Sequence, residues 1–523
     1  MGFADQAQRT LSMLGATPGW HRLKELRPDL DDATVASVLD EAARFAETVL
    51  APLNAGGDRQ GAQVLEGRVK TPPGFKEAFK RYGEAGWLGS SLSEKYGGQD
   101  LPLTIAAACG PLFERGCVAL MMCAGSTRAA AHLLAEAADR DTAQEWVPRL
   151  AQGEWAGTIC ISEADAGSDV GRLRTKAINR DGAWFISGEK TWISFGDHDM
   201  TTRIGHCLLA RTKNEVGTRG ISLFLVPDQI AGEQNGVSLS RIEDKMGLHG
   251  SPTCTLLFNN SQGVLIGEEG RGLPQLFSMI ELMRLQTGCQ GLGLASASVD
   301  IAEAYAHARR QGGPPDLPAV PIADHPDVKR QLHAMRLQTE VLRAAVLELA
   351  TLMDLARLGT DPDLRQDYRD LAAWMLPLIK NFGAAAGFDV SNAGIQVLGG
   401  AGYTRDWPLE QYLRDARVMT IYEGTTGMQA LDFLVRRLWR DEGRVLQLFQ
   451  ERMTAELASL AEEDPRSTEL ARDALAAFLV SSKRMLALRG DPTTAFFEAN
   501  DYLEAGWKVI TAWMRVRLQA LAR

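Results

Sequence analysis

The chain has 523 residues, 45% of them hydrophobic and 23% charged, a composition typical of a globular protein with about two to four domains. Its 56 basic and 66 acidic side chains give a net charge of −10, which argues against nucleic acid or an anionic membrane as the main partner. No uninterrupted apolar run reaches the roughly 18 residues of a membrane span, and residues 1–6 lack the basic start of a secretory signal.

The cysteines and histidines point away from disulfide, metal and hydrolase chemistry. Seven cysteines are scattered without a Cys-x-x-Cys pair, so we expect them to be reduced and mostly buried in a cytoplasmic protein. The eight histidines include no His-Glu-x-x-His motif, and no metal site is expected. No Gly-x-Ser-x-Gly elbow indicates a serine hydrolase.

Residues 1–155 are predicted to form an N-terminal helical domain. An early helix is indicated by apolar residues at helical spacing, namely Val38, Ala42, Phe45 and Val49. Pro52 is expected to end this helix. Further helices are predicted over residues 76–87 and 112–135.

Residues 156–272 are predicted to form a middle β-domain. Short β-prone runs occur at 183–186, 206–210, 221–226 and 253–258. The pair Asp181-Gly182 is a hairpin turn signal. These features favour an antiparallel barrel, with a sandwich as the alternative.

Helical patterns return over residues 273–438 and again over 439–523. We expect a C-terminal four-helix bundle, interrupted by a Pro-rich loop at 312–326, followed by a helical extension. Residues 440–523 carry 12 basic and 13 acidic side chains, so their charges suit a solvated surface. The order helical, β, helical, extension defines an α+β fold.

The sequence Tyr422-Glu423-Gly424-Thr425-Thr426 sets one carboxylate between an aromatic side chain and a Gly-Thr turn, just before an apolar segment. A carboxylate in such an apolar setting, with few hydrogen bonds, has the raised basicity that proton abstraction from carbon requires. The alternative is that Thr425 or Thr426 caps a helix while Glu423 is merely solvated.

Two further segments could contact a flat ligand. The loop Ser162-Glu163-Ala164-Asp165-Ala166-Gly167-Ser168-Asp169 is rich in small residues, which let the backbone approach a planar ring. Alone it could equally be an ordinary loop. The run from Gly188 to Ser194 alternates its side chains as a strand does, and Trp192 either stacks on a cofactor or belongs to the core of the β-domain.

These segments together resemble the acyl-CoA dehydrogenase family, from about residue 40 to residue 436. The resemblance implies FAD as the cofactor, with flavin contacts from Ile161, Ser162, Gly167, Ser168, Trp192, Ile193, Ser194 and Thr425. It also implies that Arg309 and Gln311 meet the pyrophosphate across a dimer interface, and that Gln396, Gly399 and Gly400 meet the adenosine half. A Rossmann interpretation of those glycines fails, because no Gly-x-Gly-x-x-Gly follows a predicted strand.

In the chemistry of that family, the thioester acidifies the α-proton, a carboxylate removes it, and the β-hydrogen leaves as hydride to flavin N5. The resemblance makes Glu423 the base. Some members instead carry the base on an earlier helix, where this chain has Met283, which cannot accept a proton. The implied substrate contacts are Ser168, Glu281, Arg284 and Gly424, with Arg284 ordering the site near Glu423.

The chain also resembles a longer subgroup of the family, related to 3-methylmercaptopropionyl-CoA dehydrogenase. The likeness covers four segments, at 153–155, 195–200, 245–250 and 290–295, and the extension beyond residue 440. Ile159, Glu281 and Gly312 depart from the usual family residues. These departures leave the acyl specificity open.

The resemblance implies an acyl-CoA substrate, an electron-transfer flavoprotein as acceptor, and a homodimer or dimer of dimers. Two alternatives use the same scaffold: a non-catalytic, DNA-protecting flavoprotein of the alkylation-response type, and an oxygen-using oxidase. The first should have a basic C-terminal face, and the near-neutral segment 440–523 argues against it. No sequence feature bears on the second.

Residues 119–134 are expected to line the acyl tail. This segment carries Ser126, Thr127 and Arg128 among small alanines. If Arg128 faces the pocket, it should meet a polar or acidic acyl group, because an unpaired buried guanidinium is costly. The alternative is a solvated Arg128 on the outer face of the helix.

Overall fold

The computed structural model describes residues 2–462 and 464–522. The helices in this part of the chain are α1 (Phe3–Gly15), α2 (Pro18–Leu26), α3 (Asp32–Phe45), α4 (Ala51–Gln60), α5 (Phe75–Glu84), α6 (Leu103–Ala137), α7 (Arg140–Gln152), α8 (Gly272–Ala308), α9 (Pro326–Leu358), α10 (Pro362–Leu398), α11 (Leu409–Arg417), α12 (Thr426–Leu431), α13 (Arg444–Ser459), α14 (Pro465–Ala487), α15 (Pro492–Phe497) and α16 (Ala499–Leu521).

In the described part of the chain, the strands form two hairpins and one seven-stranded sheet. A hairpin is formed by β1 (Gln63–Leu65) and β2 (Arg68–Lys70). The later strands are β3 (Trp155–Cys160), β4 (Lys176–Arg180), β5 (Ala183–Ser194), β6 (Arg203–Arg211), β7 (Ile221–Pro227), β8 (Gln229–Ile230), β9 (Glu233–Gln234), β10 (Val237–Ile242) and β11 (Thr253–Ile266). The predicted order of helical, β and helical segments is therefore confirmed.

The chain forms two compact units. The first contains residues 1–47, 102–115 and 284–523, and the second contains residues 48–101 and 116–283. The second unit has an apolar core between α6, α7 and the sheet, and another on the far side of the sheet around Phe224 and Phe258.

The large sheet of the second unit has seven strands in the order β10-β11-β5-β4-β6-β3, and β7 pairs with both β6 and β11. The expected all-antiparallel barrel is wrong in one respect, because β3 and β4 run parallel to β6. A parallel pair needs a long crossover, and residues 161–202 between β3 and β6 supply it. The Asp181-Gly182 hairpin is confirmed, with φ values of +54° and +89° that suit the tight turn between β4 and β5.

The prediction that Pro52 ends the early helix is wrong. After α3 the chain makes a wider π-helical turn at Ala46–Leu50 and continues as α4, with Pro52 in the first turn of α4. Proline is tolerated there because the first-turn N–H groups have no helical partner to lose.

In the first unit, α8 and α10 pack closely through glycines. A Cβ atom at Gly383 would lie 2.7 Å from Gly288 Cα, and one at Gly387 would lie 2.9 Å from Gly291 Cα. Larger residues would force the helix backbones apart. Because these contacts advance along both helices together, Arg284 and Lys380, about one turn before the first pair, lie at the same level.

Helices α13 to α16 are joined to α9 and α10 by a charged cluster and an aromatic cluster. Glu348 on α9 is completely buried; it accepts hydrogen bonds from Arg452 and forms an ion pair with Arg517. Arg517 also donates to Glu456 at 2.8 Å. The ring of Trp374 stacks on Phe449, with centroids 4.4 Å apart. The extension thus shares the core of the first unit.

Two helices, Leu103–Ala137 and the segment Pro362–Tyr403, are long and apolar enough to cross a membrane. Their most apolar windows are 83% and 78% buried inside the protein, as core helices are. All seven cysteines are buried and unbridged, as expected.

Candidate active site

Glu423 lies in a tight turn of the first unit, after α11 and a short 3₁₀ turn at Val418–Thr420. Its backbone has φ +54°, a left-handed conformation that is uncommon for a residue with a side chain and that clusters at functional sites. Gly424 follows with φ +91°. Thr425 then caps α12 through its side chain, which accepts from the Met428 N–H. The cap and the carboxylate are therefore neighbours rather than alternatives.

The backbone of this turn is held by two side chains. Gln429 Nε2 donates to the carbonyls of Glu423 and Gly424 at 3.1 and 3.2 Å. Lys380 Nζ donates to the carbonyls of Met419 and Gly424 at 2.8 and 2.7 Å. The carbonyl groups of Met419, Glu423 and Gly424 thus all accept hydrogen bonds from buried polar side chains.

The carboxylate of Glu423 accepts no hydrogen bond from any residue among 2–462 and 464–522. Burial raises its pKa above the ordinary value, because the charged form loses water, while Lys380 and Arg284 act in the opposite direction. This is the environment that the sequence motif predicts for a base.

Arg284 on α8 lies beside the turn. A Cβ atom at Gly424 would be 3.9 Å from Arg284 Nη2. The guanidinium donates to Asp432 Oδ2 at 2.6 Å, and both side chains are largely buried. Arg284 is therefore fixed by Asp432, which the sequence analysis did not single out.

Tyr422 points to a polar group on α8. Its hydroxyl donates to Gln290 Oε1, and burial together with the carboxylates of Glu114 and Glu423 raises its pKa well above the ordinary value. Gln286 Nε2 donates to Glu114 Oε1 at 3.0 Å. Tyr422 is thus a neutral hydroxyl beside the candidate base.

The predicted flavin loop lies in the second unit, directly after β3. Glu163 in this loop accepts from the backbone N–H groups of Arg174 and Thr175 and from Lys190 Nζ at 2.9 Å. Lys190 is fully buried on β5 and also donates to Ile161 O at 2.9 Å. Burial opposes the charge of Glu163, but Lys190 and these hydrogen bonds keep its pKa below the ordinary value.

The small residues of the loop differ in their exposure, and Ala166 is buried. Gly167 and Ser168 are exposed, and nothing lies within 4 Å of where a Cβ of Gly167 would be. Ile161 and Ser162 are half-buried at the end of β3. Their carbonyl oxygens already accept hydrogen bonds, from Lys190 Nζ and from the Thr191 N–H.

Trp192 combines a high side-chain exposure with an unusual backbone conformation. Its side chain is 61% exposed and its φ is +63°, which is a true outlier for a bulky residue. The interpretation of Trp192 as a core residue is wrong. Ile193 packs into the core and is only 2% exposed, which leaves it little surface for the predicted flavin contact. Ser194 is half-buried at the strand end. An exposed indole on a strained backbone, next to a loop of small residues, is suited to stacking on a flat ring system.

The residues predicted to reach across a dimer are exposed in the first unit. Arg309 and Gln311 follow α8 and lie within 3.4 Å of each other. Gln396, Gly399 and Gly400 are exposed at the end of α10. The ring of Tyr305 contacts Trp407 edge-on, with centroids 5.3 Å apart, and so links the end of α8 to the segment after the glycines. Gly399, which follows α10, has φ +62°.

The other predicted substrate contacts have different settings. Glu281 is half-buried on the part of α8 that belongs to the second unit, and Met283 is buried. Ser126 and Thr127 are buried and serve the packing of α6, since Thr127 Oγ1 accepts from Gly157 N. Arg128 is partly exposed. In the described part of the chain, no group of three His, Cys, Asp or Glu side chains could hold a metal ion.

Family models match the chain over most of its length. The N-terminal, middle and C-terminal domains of acyl-CoA dehydrogenase match residues 33–154, 158–261 and 270–438. The chain belongs to the acyl-CoA dehydrogenase family. It is therefore an FAD-dependent oxidoreductase acting on CH–CH bonds.

Named relatives of this acyl-CoA dehydrogenase cover most of its chain. The 3-methylmercaptopropionyl-CoA dehydrogenase of Ruegeria pomeroyi is 35% identical over 94% of this chain and 86% of the relative. The broad-specificity linear acyl-CoA dehydrogenase FadE5 of Mycobacterium tuberculosis is 36% identical over 80% of this chain and 72% of the relative.

Solved structures support the fold of this acyl-CoA dehydrogenase. An acyl-CoA dehydrogenase of Bacillus anthracis complexed with FAD has a TM-score of 0.77 at 23% identity, covering 94% of this chain and 82% of that one. ACDH-11 of Caenorhabditis elegans in complex with C11-CoA has a TM-score of 0.76 at 21% identity, covering 94% and 88%.

Sequence reasoning missed several residues of this acyl-CoA dehydrogenase that hold the predicted site segments within each unit, Gln429 among them. Lys380 and Lys190 are buried lysines that hold the two loops, and Asp432 fixes Arg284. A buried charge is rare unless it is paired, so a lysine inside an apolar helix or strand pattern is the available signal. That signal marks the residue but names no partner.

Proposed function

We propose that this acyl-CoA dehydrogenase converts an acyl-CoA thioester to the 2,3-enoyl-CoA, with Glu423 as the base that takes the α-proton. The observation that carries this assignment is the carboxylate itself. It is held at a strained turn, accepts no hydrogen bond within residues 2–462 and 464–522, and has its pKa raised by burial. A base in this state binds a proton more strongly than a solvated carboxylate does.

The residues around Glu423 have separate roles in this proposal. Arg284 and Lys380 provide positive charge that limits how far the basicity of Glu423 rises, and so keep a useful fraction of it ionised near neutral pH. Gln429 and Lys380 keep the turn in one conformation. Bound FAD supplies the acceptor for the β-hydrogen, which leaves as hydride, so that the substrate loses one proton and one hydride in total.

In the second unit, the residues proposed to contact the flavin lie at the end of β3, in the loop after it and at the end of β5; they are Ile161, Ser162, Gly167, Ser168, Trp192, Ile193 and Ser194. In the first unit, the residues proposed to contact FAD are Thr425, Arg309, Gln311, Gln396, Gly399 and Gly400. The unfilled space at Gly167 and the exposed indole of Trp192 support this fit.

A homo-oligomer follows from the same assignment. Arg309 and Gln396 are exposed, and exposed residues at the end of α8 and α10 suit a pyrophosphate and an adenosine bound by a partner copy. We propose a homodimer or a dimer of dimers. Electrons would leave through an electron-transfer flavoprotein, as the family resemblance implies.

The acyl group is proposed from the named relatives, which act on a 3-methylmercaptopropionyl thioester and on linear acyl thioesters. We propose an unbranched acyl-CoA or one in which sulfur replaces a methylene, since the two have nearly the same shape. Ser168, Glu281, Arg284 and Gly424 remain the proposed substrate contacts.

Anaerobic bleaching of the flavin absorbance tests the proposal. Purified holoenzyme is mixed with butyryl-CoA, octanoyl-CoA, isobutyryl-CoA or 3-methylmercaptopropionyl-CoA, and the enoyl-CoA is identified by mass spectrometry. The unbranched and thioether substrates should bleach the flavin stoichiometrically. Absence of bleaching with every thioester would contradict the proposal, and reoxidation by air with hydrogen peroxide at turnover rate would identify the oxidase alternative.

A further inference from the structure

Lys380 is a completely buried lysine in the middle of α10. The ordinary reason for such a residue would be an ion pair with a buried carboxylate, because an isolated charge in the interior is costly. Its direct hydrogen bonds go instead to two backbone carbonyls, of Met419 and Gly424, which flank the turn that carries Glu423.

These two bonds hold a turn that is costly by itself. Glu423 has a left-handed backbone, and such a conformation persists only when the surroundings determine it. Lys380 Nζ bonds one carbonyl before the strained residue and one after it, at 2.8 and 2.7 Å. The third neighbour is the ring of Tyr422, whose centroid lies 5.9 Å from Nζ. Lys380 therefore holds both ends of the turn through these two hydrogen bonds.

We infer that Lys380 is a positioning residue that fixes the turn around Glu423 and supplies a buried positive charge against which the ionised Glu423 is held. The inference rests on the proposed role of Glu423 as the base. Lys380 neither accepts the substrate proton nor needs to touch the substrate. An apolar side chain of similar length, such as methionine, would give neither the two hydrogen bonds to carbonyl groups nor the charge.

The charges facing Glu423 come from several elements. Lys380 belongs to α10 and Arg284 to α8, and Arg284 is paired with Asp432 in the π-helical turn after α12. The hydroxyl of Tyr422 stays neutral, and it faces the carboxylate of Glu114 on α6. Burial, with a smaller contribution from Arg284, lowers the pKa of Lys380 to about 7, while Glu423 raises it. Lysine and glutamate thus favour each other's charged form.

The test compares Lys380→Met, Lys380→Arg and wild type, with Lys329→Met as a control at an exposed lysine on α9. The first measurement is exchange of the α-hydrogen of butyryl-CoA in deuterated buffer, followed by mass spectrometry from pH 6 to 9. This exchange measures removal of the α-proton by the base and requires no net oxidation of the substrate. The second measurement is hydrogen exchange of the backbone amides at 418–428.

In Lys380→Met the rise of α-hydrogen exchange with pH should move up by about 1–3 pH units, because the carboxylate loses a neighbouring cation. At a pH below this rise, exchange should fall about tenfold for every pH unit by which the rise has moved. Lys380→Arg should keep the rise at or below its wild-type position, because arginine stays charged. The amides at 418–428 should exchange faster in Lys380→Met and unchanged in Lys329→Met.

An unchanged pH profile and unchanged amide exchange in Lys380→Met would overturn the inference, even if the wild type oxidises acyl-CoA as proposed. If Lys380→Met does not fold, a Lys380→Arg profile moved to higher pH would overturn it equally. If none of the thioesters bleaches the flavin of the wild type, the proposed function is contradicted instead. Amide exchange at 418–428 would then still test whether Lys380 fixes the turn.

Discussion

Arg284 and Asp432 form a largely buried ion pair in which Arg284 Nη1 donates to Asp432 Oδ2 at 2.6 Å. Asp432 also lies 3.4 Å from Arg437 Nε. Arg284 is the member of the pair that lies next to the turn of Glu423, since a Cβ atom at Gly424 would be 3.9 Å from Arg284 Nη2. Asp432 therefore both orients Arg284 and reduces the net positive charge that Glu423 experiences.

Asp432→Asn should make Glu423 a weaker base. The amide can still accept a hydrogen bond from Arg284, but the anion that offsets the charge of Arg284 is gone, so the pKa of Glu423 should fall. The rise of α-hydrogen exchange with pH should move to lower pH, opposite to Lys380→Met. Asp327→Asn, at an exposed ion pair with Arg330, is the control. A move to higher pH would show that the charge of Asp432 does not act on Glu423.

Glu423→Gln should bind FAD and thioester but lose turnover. The amide keeps the shape of the side chain and removes its proton affinity, so the anaerobic bleaching rate should fall by roughly 10²–10⁴. Flavin absorbance and thermal melting of the variant serve as controls for folding and cofactor content. Near-normal bleaching by the variant would exclude Glu423 as the base.

The sequence predicted the features that depend on local chemistry. The Asp181-Gly182 hairpin and the Thr425 cap follow from turn and capping preferences of a few neighbouring residues. The continuation of the helix past Pro52 was missed because no local pattern signals the π-helical turn at Ala46–Leu50. This turn places Pro52 in the first turn of α4, where proline is tolerated. Lys380 was missed because its partners lie 39 and 44 residues away. The packing of α10 against the turn brings Lys380 to these carbonyl groups, and local sequence patterns do not encode that packing.

Lys190→Met should destabilise the second unit and release FAD. Removing the buried ammonium leaves the carboxylate of Glu163 without its cation and Ile161 O without its donor, which should cost about 3–5 kcal/mol. Thermal melting and the fraction of bound flavin measure the two effects. Lys176→Met, at an exposed position of β4, is the matched control.

The double variant Lys190→Met with Glu163→Gln removes both charges and keeps an acceptor for the N–H groups of Arg174 and Thr175. If the loss in Lys190→Met comes from an uncompensated carboxylate, removing that carboxylate should restore part of the melting temperature. Equal or greater loss in the double variant would mean that Lys190 acts through its bond to Ile161 O and through packing.

Arg309→Ala should release FAD and weaken the oligomer together. Arg309 is proposed to bind the pyrophosphate held by a partner copy, and a ligand that binds only the assembled state stabilises that state. Arg310→Ala is the neighbouring control, since Arg310 donates to Ala319 O in its own loop. Sedimentation and flavin content measure the outcome. A monomeric Arg309→Ala protein with full FAD content would contradict a shared site.

The melting temperature of the holoenzyme should fall as the pH is lowered from 7.5 to 5.5, and His206 should contribute to that fall. His206 is fully buried on β6, its Nδ1 lies 2.8 Å from Thr158 Oγ1, and burial lowers its pKa from 6.5 to about 3. Because the folded-state pKa lies below the unfolded value, the unfolded chain binds more protons between these two values. Stability is therefore complete above about pH 6.5 and decreases towards pH 3, by about 1.4 kcal/mol for each pH unit.

His206→Asn should keep the bond to Thr158 and remove the proton site. Its melting temperature should be lower than that of the wild type at pH 7.5, because the smaller side chain leaves a cavity beside Phe258, whose ring contacts His206 edge-on. The further drop at pH 5.5 should be smaller than in the wild type, with the remainder coming from buried His198, whose pKa is lowered to about 4. His21→Asn, at an exposed position, should keep the wild-type pH dependence. An equal pH dependence in His206→Asn and wild type would mean that the buried imidazole of His206 is not the group whose protonation destabilises the sheet.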